Sequence, residues 1–248
     1  MPLLELNSVV KNFGGLEVLR GVSFAVNEGE IVGLIGANGA GKTTLFNTVS
    51  GLTPRSAGSI RFLGREIGGL APHQICHLGV ARTFQVVRPF AGTTVAQNVR
   101  IAAVHGRGDR YLPDGQVDET ITRLLSFVGL VDKAEVAASS LGLVELKQLE
   151  LARALATAPR LLLLDETFSG LTPTETGRAM ELIARIRKEF QVTILWVEHV
   201  MRAIMRVAER LVVLHQGVTI ADGPPADIAA NPVVIEAYLG ASRATSRR

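Results

Sequence analysis

Residues 36–44 read GANGAGKTT and follow directly on the apolar run EIVGLI. A phosphate group is rich in acceptor oxygens, so a site for it must supply many N–H donors. Glycines let a loop curl until successive backbone N–H groups point inward, and a helix starting at the end of the loop adds a dipole that favours an anion. On this pattern Gly36, Asn38, Gly39, Ala40 and Gly41 are the candidate backbone donors. Lys42 is placed to bridge β- and γ-phosphates, Thr43 to ligate Mg²⁺ and Thr44 to contact the α-phosphate. The alternative is a glycine-rich turn without a ligand. The strand before the loop and the helix after it, both in register, argue against that.

A second stretch, LLLLDE at 161–166, runs four leucines into two acids. An unpaired charge at the end of a buried strand is costly, so the pair needs a reason. In open α/β sheets ligands bind beyond the carboxyl ends of the strands. Asp165 is therefore expected beside the phosphate loop, holding Mg²⁺ through water, and Glu166 on the γ-phosphate side, orienting an attacking water. The alternative use for either acid is to cap the following turn or helix.

These residues need a scaffold, and the apolar patterning describes one. Four continuous apolar runs, Ile31 to Ile35, Leu161 to Leu164, Val192 to Val197 and Leu211 to Leu214, read as buried parallel strands. Helical spacing over Glu175 to Glu189 and Met201 to Glu209 lies between them, which predicts an α/β domain with a covered, mainly parallel sheet. LLELNSVVKNF and VLRGVSFAVNEG alternate apolar with polar residues and predict an N-terminal antiparallel β subdomain. From Phe90 to Pro159 the spacing is helical, with a flexible interruption at 106–116, which predicts an inserted helical subdomain. The expected boundaries are a core over 1–86 and 159–240, the helical insert over 87–158 and an unstructured basic tail over 241–248.

Composition narrows the function classes. With 248 residues, 47% hydrophobic and 20% charged, the chain is ordinarily globular. A net charge of +3, with basic residues scattered apart from the final SRATSRR, does not make a nucleic-acid groove. The one cysteine, Cys76, excludes an internal disulfide, and neither a leader nor a run long enough to cross a bilayer is expected.

The phosphate loop, the LLLLDE strand end and LELARALATAPR before it resemble the ATP-binding subunit of an ABC transporter, over nearly the whole chain. The resemblance implies a P-loop NTPase core of RecA-like type that hydrolyses ATP with Mg²⁺. It implies that Gln85 in VARTFQ contacts Mg²⁺ and water and couples to a membrane partner. It further implies that His199 in ILWVEH supports the γ-phosphate and that Phe13 in KNFGG stacks on adenine. ARTFQVVRPF, SGLTPTETGRAMELI, WVEHVMRAIM and GPPADIAANPVVIEAYLG are similar to the ATPases of bacterial branched-chain amino-acid importers. Cassettes for urea, amides or aromatic acids share much of this. The implied partners are a second ATPase subunit, two permeases and a periplasmic binding protein, at the cytoplasmic face of the inner membrane.

The sequence departs from the family pattern at its signature. Leu-Ser-Gly-Gly-Gln is expected just before LELARAL, and Leu141-Gly142-Leu143-Val144-Glu145 stands there. The hydroxyl is missing, and a β-branched side chain occupies a position of close backbone approach. Thr167 replaces a proline, and SGLT at 169–172 lacks an expected Asp. A nucleotide-binding subunit with weak turnover is the alternative these departures keep open. A guanine-reading Asn-Lys-x-Asp is absent, which excludes a GTPase, and a soluble ABC ATPase would show two cassettes or coiled-coil arms.

Overall fold

Alternating apolar and polar residues bury one face of a strand, and LELNSVVKNF does so through Leu4, Leu6 and Val9. This strand, β1 (Leu4–Phe13), pairs antiparallel with β2 (Leu16–Val26). There follow β3 (Ile31–Ile35), α1 (Lys42–Val49), β4 (Ala57–Phe62) and β5 (Arg65–Glu66). Then come α2 (Pro72–Leu78), β6 (Val80–Arg82), α3 (Val95–His105), α4 (Asp114–Val128), α5 (Leu143–Ala156), β7 (Leu161–Asp165) and α6 (Pro173–Phe190). The chain continues through β8 (Thr193–Val197), α7 (Met201–Val207), β9 (Arg210–His215), β10 (Val218–Gly223), α8 (Pro225–Ala230) and α9 (Pro232–Thr245). The computed structural model describes residues 2–108, 112–167, 169–198 and 201–245. It divides into two compact units, Met1–Ala71 with Thr193–Arg248, and Pro72–Val192.

In the first unit β1 lies between β2 and β4 in an antiparallel sheet. The second sheet of this unit places β3 between β8 and β9, both parallel to it, and β10 turns back antiparallel on β9. Every residue of β3 and β8 is buried, as a strand covered on both faces requires.

In the second unit β6 and β7 are parallel, with Arg82 opposite Leu163. Helices α3, α4 and α5 pack on one another around Val99, Leu124, Val128, Leu149 and Leu155.

The four buried runs appear as β3, β7, β8 and β9, with ends within one residue of the expected ones. Helix α6 starts earlier than expected because Thr172 and Glu175 form a capping box and Pro173 takes the first turn. Helix α7 ends two residues sooner than expected, because the Glu209 N–H leaves the helix to donate to the Ile31 carbonyl at 2.9 Å and leads the chain into β9. Of the interruption expected at 106–116, residues 109–111 lie outside the described part, and α4 opens at Asp114. Helix α9 runs to Thr245, into the stretch expected to be unstructured, and residues 246–248 lie outside the described part.

Candidate functional site

The buried strand β3 delivers the chain to Gly36, where a Cβ would lie 2.2 Å from the carbonyl oxygen of Leu214. Only glycine lets the loop leave the strand so close to β9. At the other end Gly41 takes φ 105°, a left-handed conformation, and caps α1. That helix has no side-chain cap and no acidic residue in its first turn. Its N-terminal N–H groups and dipole therefore remain available to an anion. Lys42 is buried, and its ammonium donates to the carbonyls of Gly36 at 2.6 Å and Ala37 at 3.1 Å, so it folds back across the loop. Asn38, Gly39 and Thr43 are exposed, Thr44 is half-buried and Ala40 is buried, its carbonyl accepting the Gly217 N–H at 3.0 Å. Phe13 closes β1 with 49% of its surface exposed and the Lys11 ammonium 4.7 Å from its ring centre, so it is no core aromatic.

The acids lie in the second unit. Asp165 ends β7 in an almost fully buried ion pair, with Arg82 Nη2 donating to its Oδ2 at 2.7 Å. Removing one member of a buried pair typically costs about 3–5 kcal/mol, so Arg82 fixes where this carboxylate points. Glu166 adopts φ 47°, a left-handed conformation that costs a non-glycine residue about 1–3 kcal/mol and concentrates at functional sites. Its Oε2 accepts from the Gln85 amide at 2.6 Å, so the structure brings these two expected site residues together. The helix that follows is capped by Thr172 and Glu175, and neither Asp165 nor Glu166 takes that role. His199 lies outside the described residues.

Three residues of this region were not singled out in the sequence. Arg82 is one. Glu150 is another: it is buried on α5, accepts the Phe84 N–H at 2.8 Å, and burial pushes its carboxyl up to about 7 against the opposing effects of that bond and of Lys147 and Arg153. Asn98 is fully buried, and it accepts the Phe90 N–H and donates to the carbonyls of Phe90 and Thr94. Arg153 Nη1 donates to the Arg88 carbonyl at 3.0 Å. The segment after Gln85 is thus fastened from within while Phe84, Val86 and Phe90 stay exposed. The only signal in the sequence was polar residues on otherwise apolar elements.

At the altered signature, Gly142 is the N-cap of α5, and Glu145 Oε2 accepts its N–H at 3.0 Å. The other carboxylate oxygen pairs with Lys133. The Lys133 bond, and then the Gly142 N–H, hold the Glu145 carboxyl below its usual range. Among the described residues no group of three His, Cys, Asp or Glu side chains could hold a metal ion, and no helix is long and apolar enough to cross a membrane.

The family model for ABC transporters matches residues 19–169, and one for branched-chain amino acid ATP-binding cassette transporters matches residues 218–244. The chain is 40% identical over 250 residues to the high-affinity branched-chain amino acid transport ATP-binding protein BraF of Pseudomonas aeruginosa, covering 96% of this chain and 98% of that protein. It is 40% identical over 251 residues to LivG of Salmonella typhimurium, a protein of the same description, with the same coverage. Among solved structures, the ADP conformation of MJ1267, an ATP-binding cassette of an ABC transporter, superimposes with a TM-score of 0.86 at 28% identity, covering 97% of this chain and 99% of that one.

Proposed function

The chain belongs to the ABC transporter family, and from that footing we propose that it is the ATP-hydrolysing subunit of an importer of branched-chain amino acids. The observation that carries this reading is the 2.6 Å hydrogen bond from Gln85 to Glu166. It ties an acid at the end of a buried strand to a segment that exposes Phe84, Val86 and Phe90, an apolar surface suited to a membrane subunit.

In this reading the phosphates of ATP rest on the N–H groups of Gly36, Asn38, Gly39, Ala40 and Gly41, and Phe13 stacks on adenine. Lys42 exchanges its two carbonyl partners for the β- and γ-phosphates, and Thr44 contacts the α-phosphate. Glu166 orients a water and accepts its proton as the water oxygen attacks the γ-phosphorus, and ADP is the leaving group. Gln85 holds Glu166 in place, and His199 supports the γ-phosphate. Mg²⁺ keeps several waters and takes only one or two carboxylates besides phosphate oxygens. Thr43, exposed at the start of α1, Asp165 and Gln85 would hold it, and it would supply neutralisation of phosphate charge.

Two such ATPase subunits close on ATP, with the N-terminus of α5 meeting the nucleotide of the partner subunit. Closure moves two permeases, which hold the chain at the cytoplasmic face of the inner membrane, while a periplasmic protein selects the amino acid. The test is to reconstitute the chain with its permeases in vesicles and add the binding protein. ATP hydrolysis that rises when the binding protein carries leucine, isoleucine or valine supports the reading. Hydrolysis indifferent to the loaded protein, or stimulated only by urea, an amide or an aromatic acid, overturns it.

A further inference from the structure

The inward face of β1 carries Leu4, Leu6 and Val9, and the next buried position along the strand is Lys11. A charge there needs a reason, because the alternation that buries the strand asks for an apolar residue. Only 9% of Lys11 is exposed, and among the described residues neither a hydrogen bond nor an ion pair holds its ammonium. What it meets is the Phe13 ring, whose centre lies 4.7 Å away. The backbone that carries both side chains is pinned. Asn12, between them, donates its N–H to the Ser56 hydroxyl at 3.0 Å, and the Ser56 N–H donates to the Val10 carbonyl at 2.7 Å. Across the hairpin Lys11 pairs with Leu19, and a Cβ on Gly41 would lie 2.9 Å from the Leu19 side chain and 3.2 Å from the Val18 carbonyl. The strand pair that carries the ring and its cation thus abuts the phosphate loop, within the first unit.

We propose, on the reading of Phe13 as the residue that stacks on adenine, that Lys11 is a positioning residue for the base, acting through the ring. The ordinary use of a buried lysine stem is to cover apolar surface while its head reaches water. Here the head lies over an aromatic ring that is half exposed at the end of the strand, and the negative π cloud on the covered face holds it there. The cation fixes the tilt of the ring and leaves the opposite face as the one on which a base can stack. It also draws π density toward itself, so the open face is less negative and repels the π cloud of a purine less. A ring set before the base arrives loses less freedom on stacking, and Lys11 thereby raises affinity for the nucleotide without touching it. The gain belongs to the base alone. Phosphates in the loop at 36–44 and the reaction at the γ-phosphate receive none of it.

The experiment uses the full chain and four variants. Lys11→Met keeps the stem and removes the charge, Lys11→Arg keeps a cation, and Phe13→Leu is made alone and combined with Lys11→Met. Displacement of a fluorescent ATP analogue by ATP and by inorganic tripolyphosphate, which has no base, gives a Kd for each, and steady-state hydrolysis gives KM and kcat. Lys11→Met should raise Kd and KM for ATP about five-fold, keep kcat and the tripolyphosphate Kd within about two-fold, and lower the melting temperature by no more than about 3 °C. Lys11→Arg should restore the wild-type values, and Lys11→Met should change nothing further in the Phe13→Leu chain. Wild-type ATP affinity in Lys11→Met overturns the proposal. Equal losses for ATP and tripolyphosphate also overturn it, because Lys11 then meets phosphate directly, and so does a loss that persists without the Phe13 ring. A loss that comes with a lower melting temperature and that Lys11→Arg does not restore overturns it as well and makes Lys11 a packing residue. If Phe13→Leu leaves the ratio of the two affinities at its wild-type value, the stacking reading fails and takes the role of Lys11 with it. If Phe13→Leu lowers that ratio and Lys11→Met does not, the stacking reading stands and only the role of Lys11 is lost.

Discussion

Helices α1 and α5 both begin at a glycine, and their N-termini are built from opposite chemistry. Gly41 opens α1 with no side-chain cap and no acid in the first turn, so the positive end of the helix has no anion of its own. Gly142 opens α5 with the Glu145 carboxylate already on its N–H and Lys133 on the carboxylate. In the proposed function one terminus receives a phosphate that arrives from outside, and the other carries a built-in negative charge that a phosphate would have to meet. The altered signature is thus more than a lost hydroxyl: Glu145 replaces a neutral amide with the group that satisfies the helix end. The difference teaches that a helix N-terminus is a phosphate site only while the sequence withholds its own cap.

Three changes probe that contrast. The largest effect is expected from Lys42→Ala, which removes the charge at the open terminus. A charge-assisted contact to phosphate contributes about 2 kcal/mol, so ATP affinity should fall about 30-fold, and turnover should fall further because the same group meets the charge that develops in the transition state. Equilibrium binding and steady-state hydrolysis measure the two, and unchanged affinity would mean that the loop is not the nucleotide site. A smaller effect is expected at the closed terminus. Gly142→Ser combined with Val144→Gly and Glu145→Gln restores a hydroxyl, a close approach and a neutral cap, and should raise turnover of the isolated chain about ten-fold at saturating ATP, dimerisation being followed in parallel. A repaired variant no faster than wild type would show that the closed terminus does not limit the reaction.

The smallest effect on turnover is expected at Glu150, farther along α5, where the change reads out in stability. Its carboxyl keeps its proton up to about 7 in the folded chain against an ordinary value of 4.5, so the unfolded chain releases the proton first as pH rises. Stability from this group is complete below about 4.5 and is lost as pH climbs toward about 7, at no more than about 1.4 kcal/mol per pH unit. Glu150→Gln keeps an acceptor for the Phe84 N–H and removes the titration. Denaturant titrations at pH 5 and pH 8 should show the variant gaining roughly 2 kcal/mol on the wild type between the two. An equal offset at both pH values would show that Glu150 does not carry the effect.

The phosphate loop was legible because its donors are contiguous: Gly36 to Thr44 form one turn, and the strand and helix that fix it are its sequence neighbours. Asp165 and Glu166 were legible as acids that a buried strand end would not otherwise tolerate. Arg82 was not, because its meaning comes from the parallel pairing that sets it opposite Leu163, 83 residues before its partner Asp165. Glu150 was missed for a related reason. The helical period marks Leu149, Ala152, Leu155 and Ala156 as an apolar face, and nothing in it says that the neighbouring acid will be buried under the backbone at Phe84. Gln85 and Phe13 came from the resemblance, since an amide after a three-residue strand and a phenylalanine before two glycines have no periodicity to announce them.

The most direct measurement for the whole account is made on Glu166→Gln in the presence of Mg²⁺ and ATP. An amide keeps the shape of the side chain but cannot accept the proton of the attacking water. The account predicts that the variant binds ATP as the wild type does, accumulates as an ATP-bound dimer in size-exclusion chromatography, and turns over at least about 100-fold more slowly. A variant that hydrolyses ATP at the wild-type rate would contradict the assignment of Glu166 and, with it, the mechanism.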